Sequence, residues 1–470
     1  MPAENTKFTR EGWRLIVKRK MRMLPSTEMG TTEFKISLIS EHAKRDKAMR
    51  FTSLAHLLNK PFLGRCFNGL NRKKALGQDK VSWHDYAENL EENLESLVER
   101  LKRKSYRPIP ARRVYIPKGD GKFRPLGISA IENKIVERAI TLILQGIYEQ
   151  DFSDMSFAFR PNLSCHHALK VLNDLIMFYP VNQIVEADIR GFFDNVDHEI
   201  MMKALRVRVA DSSLLYLIER FLKAGYIDDG LLVRTDMGTP QGSILSPILS
   251  NIFLHYVLDK WFEEQVKPHV TGFCEIVRYA DDFVCVAQFE SDAKKIEKAV
   301  KNRFNRFKLD IHPEKSKRFS FGRFESKNAQ RQKRKANTFV FLGFTHFCDR
   351  TRDGRFKLGR KTSRKKFGAK CRDMNQWLKE VRNQKKTKEW WGDLASKLRG
   401  HYQYYGVSGN YRAISTFYHR VREMLHKWLN RRSQKNKMSW ERFNEYLRHY
   451  PLPTPSIKRN FYTPNSCYVK

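Results

Sequence analysis

The period of the hydrophobic positions changes several times along this chain, and the changes divide it. Residues 1–50 are polar and basic with little periodicity and are expected to form a partly ordered arm. From Phe51 the run FTSLAHLLNKPFLGRCFNGL predicts two short helices broken near Pro61, and Gly77-Gln78-Asp79 marks a turn. Ser82, with Asp85 three residues on, has the form of a helix N-cap. Trp83, Tyr86, Leu90, Leu94, Leu97 and Leu101 then recur every three or four residues, as one buried helical stripe requires.

The next segment, VYIPKGDGKFRPLGI, alternates as strands do around a Gly-Asp-Gly turn and predicts a hairpin with basic residues on its tip and return strand. Helix is expected from Asn133 to Ile147, and strands at QIVEADI and EIVRYADDFVCVAQF, with helices between and after them. Hairpins mixed with helices predict an α+β domain. Beyond about residue 358 strand signals stop, and 364–382, 388–400 and 411–432 read as helices. Trp377, Leu378, Val381, Leu394, Leu398, Val421, Leu425 and Trp428 are their candidate core. The proline-rich end, YPLPTPSIKRNFYTPNSCYVK, is expected to be extended, and no internal repeat is visible.

Charge narrows the function. The 470 residues contain 89 Lys and Arg against 51 Asp and Glu, a formal net charge of +38, which implies a polyanionic partner. The excess is uneven, since residues 323–470 hold 37 basic and 10 acidic side chains. Tryptophans and tyrosines interleaved with that charge favour nucleic acid over a membrane surface. The seven cysteines include no CxxC pair, so neither a disulfide framework nor a zinc ribbon is indicated. With no signal peptide or apolar span in view, a cytoplasmic protein is expected, nucleoid-associated when on DNA.

Two acidic signals suggest the chemistry. Tyr279-Ala280-Asp281-Asp282 places adjacent carboxylates between two apolar strand segments, where a cation partner is expected. Alone, an exposed Asp-Asp turn would explain it equally well. A second strand, however, ends on Asp188 and runs into Gly191-Phe192-Phe193-Asp194. Acids closing two neighbouring strands can hold two divalent cations about 4 Å apart, one acidifying a primer 3′-hydroxyl and one steadying pyrophosphate. Magnesium suits oxygen ligands shared with phosphates.

Other motifs are weaker singly. Gly238-Thr239-Pro240-Gln241-Gly242-Ser243 leads into a helix expected from Ile244 to Phe262, and Gln241 offers an amide to a base or sugar. Lys118, Lys122 and Arg124 on the basic hairpin can meet a triphosphate, with solvated charge as the competing reading. Arg160 and Arg278 read as structural residues or template contacts, and Tyr279 and Gly242 join them as candidate template or primer contacts. Cys165-His166-His167 lacks a second ligand pair and is set aside as a metal site; His419 and His426 read as packing or RNA contacts.

In order, the segments VYIPKGDGKFRPLGI, SFAFRPNLSCHHAL, ADIRGFFDNVDHE, GTPQGSILSPILSNIFL, VRYADDFV, LDIHPEKSK and FVFLGF closely resemble the successive blocks of group II intron reverse transcriptases, the intron-encoded maturases. FTSLAHLLNKPFLGRCFNGLNRKKALGQD resembles their N-terminal extension and KLRGHYQYYGVSGN their thumb signature, so the likeness covers about residues 51–450. It implies a right-hand polymerase: fingers and an antiparallel palm over 51–357, an all-α thumb or maturase domain over 358–432, and a short basic DNA-binding-like tail over 433–470.

It further implies Asp188, Asp281 and Asp282 as catalytic acids, with Asp188 and Asp281 the main ligands of two magnesium ions and Asp282 assisting. Phe193 corresponds to an aromatic gate against a ribose 2′-hydroxyl, Lys118 and Arg124 to triphosphate-facing finger residues, and Gln241 to the loop lining the nucleotide pocket. The implied partners are intron RNA as template, a DNA primer or target, and deoxynucleoside triphosphates. Two departures stand out: Ser243 follows Pro240-Gln241-Gly242 where many relatives carry glycine, and too little chain follows the thumb for an endonuclease. Splicing assistance and retrohoming are expected alongside polymerisation. The alternatives are a freestanding relative recruited for defence or repair, and a splicing factor with vestigial polymerase activity.

Overall fold

The computed structural model describes residues 31–119, 122–234, 236–239, 241–312, 316–431 and 437–462. Residues 1–30 of the expected arm, Pro240, and residues 432–436 and 463–470 of the tail lie outside the described residues, as do the side chains of Lys118 and Lys122. The described strands are β1 (Ala111–Gly119), β2 (Lys122–Ile128), β3 (Gln183–Asp188), β4 (Tyr226–Asp228), β5 (Leu231–Val233), β6 (Cys274–Tyr279), β7 (Asp282–Ala287), β8 (Lys317–Ser320), β9 (Thr338–Phe341), β10 (Phe344–Arg350) and β11 (Phe356–Thr362). The chain forms two compact units. One takes residues up to 115, 125–152 and 196–253; the other takes 116–124, 153–195 and 254 onward.

In the first unit, helix Ile131–Tyr148 has no fully exposed residue and buries Ile135, Val136, Ile140, Ile143, Leu144 and Ile147. A helix of that kind belongs at the centre of a core. Residues 32–45 of the expected arm are a regular helix, and Thr32 is tied to Asn59 by a 2.9 Å hydrogen bond. The single helix expected from Ser82 is two. Its Ser82–Asp85 capping box forms as the sequence predicts, but the chain bends at Asn89 (φ −121°, ψ 43°) before Leu90–Lys102. The Asn93 amide then donates to the Tyr86 carbonyl at the break. The basic hairpin β1–β2 belongs to a four-stranded sheet, order β2-β1-β4-β5, in which β4 runs parallel to β1. The short β4–β5 hairpin was not foreseen, because three-residue strands carry almost no periodicity.

In the second unit, β6-β7-β3-β8 form a sheet in which every pair is antiparallel. β9, β10 and β11 form a second antiparallel sheet, its first turn made by Leu342 and Gly343, both at positive φ. β11 carries strand structure to Thr362, past the expected limit near 358. Helices Arg364–Gln384, Thr387–Tyr405 and Tyr411–Asn430 follow as the spacing predicts. One core runs from Val284 and Val286 through Phe344 to Leu378, Leu394 and Val421, so these helices are grouped with the sheets rather than forming a unit of their own.

The tail adds a helix, Trp440–His449, and then an extended stretch as expected. That stretch packs onto its own unit. Arg459 bridges Val407, the Asn173 amide donates to the Phe461 carbonyl, and Phe461 is buried.

Candidate active site

Sheet register brings the predicted acids together. Asp188, last in β3, is the direct cross-strand partner of Asp282, first in β7. Tyr279 and Asp282 pair across a two-residue turn, so Asp281 sits at the tip beside them. Ala280, the other turn residue, takes a left-handed φ of 59°, which costs a non-glycine residue roughly 1–2 kcal/mol. Asp188 and Asp281 are half-buried and Asp282 is exposed. The Asp188 backbone is pinned by His312, whose N–H donates to its carbonyl at 2.8 Å.

A fourth acid joins them, one that sequence reading passed over. Glu186 lies two residues before Asp188, on the same face of β3. Burial raises its carboxyl first, the charges of Asp282 and Asp188 add to the effect, and Lys317 opposes it, leaving it at about 7. An ionisable residue inside an apolar strand, in step with Asp188, was the available signal. Burial is the larger cause of that rise, and the charge of the neighbouring carboxylates adds to it. Oxygen-only donors and excess negative charge fit a hard divalent cation. Among the described residues, no group of three or more Asp, Glu, His or Cys side chains is arranged to hold a metal ion. Magnesium takes oxygen ligands and shares them with substrate phosphates.

Beyond Asp188, Gly191 takes φ 56° and turns the chain into a short 3-10 segment, Phe192–Asp194. Phe192 is buried, while Phe193 stands half-buried edge-on to it, with ring centroids 5.4 Å apart. Phe193 is therefore held near the end of the acid-bearing strand with part of its ring accessible.

Arg278, read from sequence as a structural residue or a template contact, is completely buried. Its guanidinium donates to both carboxylate oxygens of Asp259, with Nε 2.7 Å from Oδ1, and Nη1 donates to the Ala280 carbonyl at 3.1 Å. Asp259 closes a π-helical stretch, His255–Asp259, in a region expected to be plain helix. Such wide turns re-aim side chains and recur at functional sites. Arg160 is likewise engaged in bracing its own loop, donating to the Ser153 and Ser156 carbonyls. Tyr279 is half-buried against the core.

His166, from the CHH run set aside as a metal site, makes a 2.8 Å hydrogen bond with the Tyr404 carbonyl, and burial lowers its pKa. Arg124 is exposed on β2. In the first unit, the Gln241 carbonyl accepts the Gly127 N–H at 2.6 Å, and exposed Gly242 takes φ 112°. A Cβ at Gly242 would lie 2.4 Å from the Gly127 carbonyl oxygen, so glycine is obligatory there.

A strand pair that ends on clustered carboxylates, with Phe193 half-buried just beyond Asp188, is the candidate site. The reverse transcriptase (RNA-dependent DNA polymerase) family model matches residues 116–346, which contain all of these acids. Protein YkfC of Escherichia coli K12 is 35% identical over 282 residues, covering 52% of this chain and 73% of that protein. Group II intron-encoded protein LtrA of Lactococcus lactis is 44% identical over 172 residues, 36% of this chain and 28% of LtrA. The COX1/OXI3 intron 2 protein of Saccharomyces cerevisiae is 38% identical over 159 residues, 34% of this chain and 18% of that protein. The chain belongs to the reverse transcriptases of the group II intron and maturase family, whose class of enzyme is the RNA-directed DNA polymerase. It spans less than a third of the intron-encoded relatives it matches.

Proposed function

We propose that this protein copies RNA into DNA by adding deoxynucleotides to a primer 3′-hydroxyl at Asp188, Asp281 and Asp282. The observation that carries the reading is the register pairing of Asp188 with Asp282, with Asp281 in the adjoining turn. Asp188 and Asp281 are the main ligands of two magnesium ions, and Asp282 assists. When bound, the pair supplies charge neutralisation for in-line phosphoryl displacement. Phe193 presents a ring edge that excludes a ribose 2′-hydroxyl. Lys118 and Arg124 meet the triphosphate, and the Gln241 loop meets the incoming nucleotide. Tyr279 and Gly242 contact template or primer. These roles rest on the family likeness, as does the division into fingers, palm and thumb.

Asp281→Asn tests the reading. Primer extension on an RNA template should be lost while RNA binding persists; undiminished extension refutes the assignment.

A second activity has its own support. Residues 323–470 concentrate basic charge beyond the acids, and the relatives include intron-encoded proteins. We read this region as binding group II intron RNA and assisting its splicing and retrohoming in the cytoplasm, at the nucleoid when on DNA. Splicing of the cognate intron at low magnesium, with and without protein, tests this. Absence of stimulation favours a freestanding reverse transcriptase serving defence or repair. Among the described residues no helix is long and apolar enough to cross a membrane.

A further inference from the structure

Glu137 sits at a position the helical pattern would reserve for an apolar residue. It lies on helix Ile131–Tyr148 and is 2% exposed, and burial raises its carboxyl pKa. A carboxyl in an interior is costly unless several donors converge on it. Here the donors come from two loops. Ser129, at the end of β2, donates its hydroxyl to Oε1 at 2.8 Å, and the Ile244 N–H donates to Oε2 at 2.8 Å. The Ser243 hydroxyl, nearby, helps hold that carboxyl's pKa down.

Ser243 and Ile244 directly follow Gln241 and Gly242, and Gln241 is itself bonded to Gly127, two residues before Ser129. Glu137 and the Gly127–Gln241 bond therefore hold the loop from both sides. Packing alone would hold it less firmly, because a cavity of about 20 Å³ borders Glu137, Ser243 and Ser246. Ser243, the residue that departs from the family's glycine, brings its hydroxyl close to the same carboxyl.

We infer that Glu137 is a positioning residue for the nucleotide-facing loop, setting the placement of Gln241 and hence the affinity for the incoming deoxynucleotide. The inference rests on the proposed role of Gln241. Glu137 touches no substrate. It acts by accepting the Ile244 N–H, which would otherwise lose that partner and let the loop settle elsewhere.

The test compares Glu137→Met, which keeps volume and removes the acceptors, with Glu137→Gln, whose amide can accept from Ile244 and donate to Ser129. Steady-state extension at saturating RNA template and DNA primer is measured against deoxynucleotide concentration, with equilibrium template–primer binding alongside. Glu137→Met should raise KM for deoxynucleotide about tenfold, with a smaller change in kcat. Template–primer affinity should stay as in the parent, and Glu137→Gln should restore most of the KM. Ser243→Ala, which removes the loop hydroxyl beside the carboxyl, should raise KM by roughly threefold and tests the same idea if Glu137→Met fails to fold. An unaltered KM in the folded variants overturns the inference, as does equal loss of template–primer affinity. If the parent protein adds no nucleotide, the proposed reaction falls and takes this inference with it. A parent that extends normally beside variants of unchanged KM overturns the inference alone.

Discussion

Replacing Asp259 with alanine removes the carboxylate that receives two N–H groups of a guanidinium with 0% side-chain exposure, against 2% for Asp259 itself. Breaking a buried pair from one side typically costs about 3–5 kcal/mol, because one charge stays in the interior without its counter-ion. The same change loosens Arg278, whose third contact is the carbonyl of Ala280 in the strained turn beside Asp281. Asp259→Ala should therefore lower both the urea midpoint and primer extension. The two effects separate in Asp259→Leu/Arg278→Met, where apolar replacements of both partners can recover most of the stability. Extension should stay low in that double variant, since the Arg278 bond to the Ala280 carbonyl is lost. Two results would refute the reasoning: an Asp259→Ala midpoint equal to the parent's, or a stable double variant with full extension.

Three further outcomes follow from the same geometry. Glu186 has its folded pKa raised to about 7 from an ordinary 4.5, so the folded state holds that proton more tightly; its contribution is favourable at low pH and is lost as pH rises through that window. In EDTA, Glu186→Gln should gain on the order of 2 kcal/mol over the parent at pH 8 and nothing at pH 4, by urea unfolding at each pH. Phe193→Ala should improve the kcat/KM for ribonucleotides relative to deoxynucleotides by at least roughly tenfold, and an unchanged ratio would remove the gate assignment. Phe461→Ala should cost about 3 kcal/mol if the tail is part of the second unit's core; a thermal midpoint unmoved by the change would show the tail to be loosely attached.

Much of the site was legible in the chain because its chemistry is local in sequence. Asp281 and Asp282 are adjacent, Asp188 closes a recognisable strand, and Gly191 and Phe193 follow within five residues. Strands and helices with strong periodicity were equally readable, among them β3, β6, β7 and the three helices between residues 364 and 430. The capping box at Ser82 is read from residues three apart and forms as expected.

The sequence by itself determined that acids end two apolar strands, that the last third is basic and largely helical, and that the motifs stand in reverse transcriptase order. Tertiary structure alone decided which residues those acids face. Pairing Asp188 with Asp282 is a matter of register between segments almost a hundred residues apart, and a one-residue slip would turn every side chain to the other face. The same holds for the buried charges. Arg278 beside the acid pair read as either a structural residue or a template contact, and only the fold turned its guanidinium inward to Asp259. Glu186 and Glu137 were passed over as ordinary acids, because the cost of burying a carboxyl, and the donors that offset it, exist only once distant segments have met.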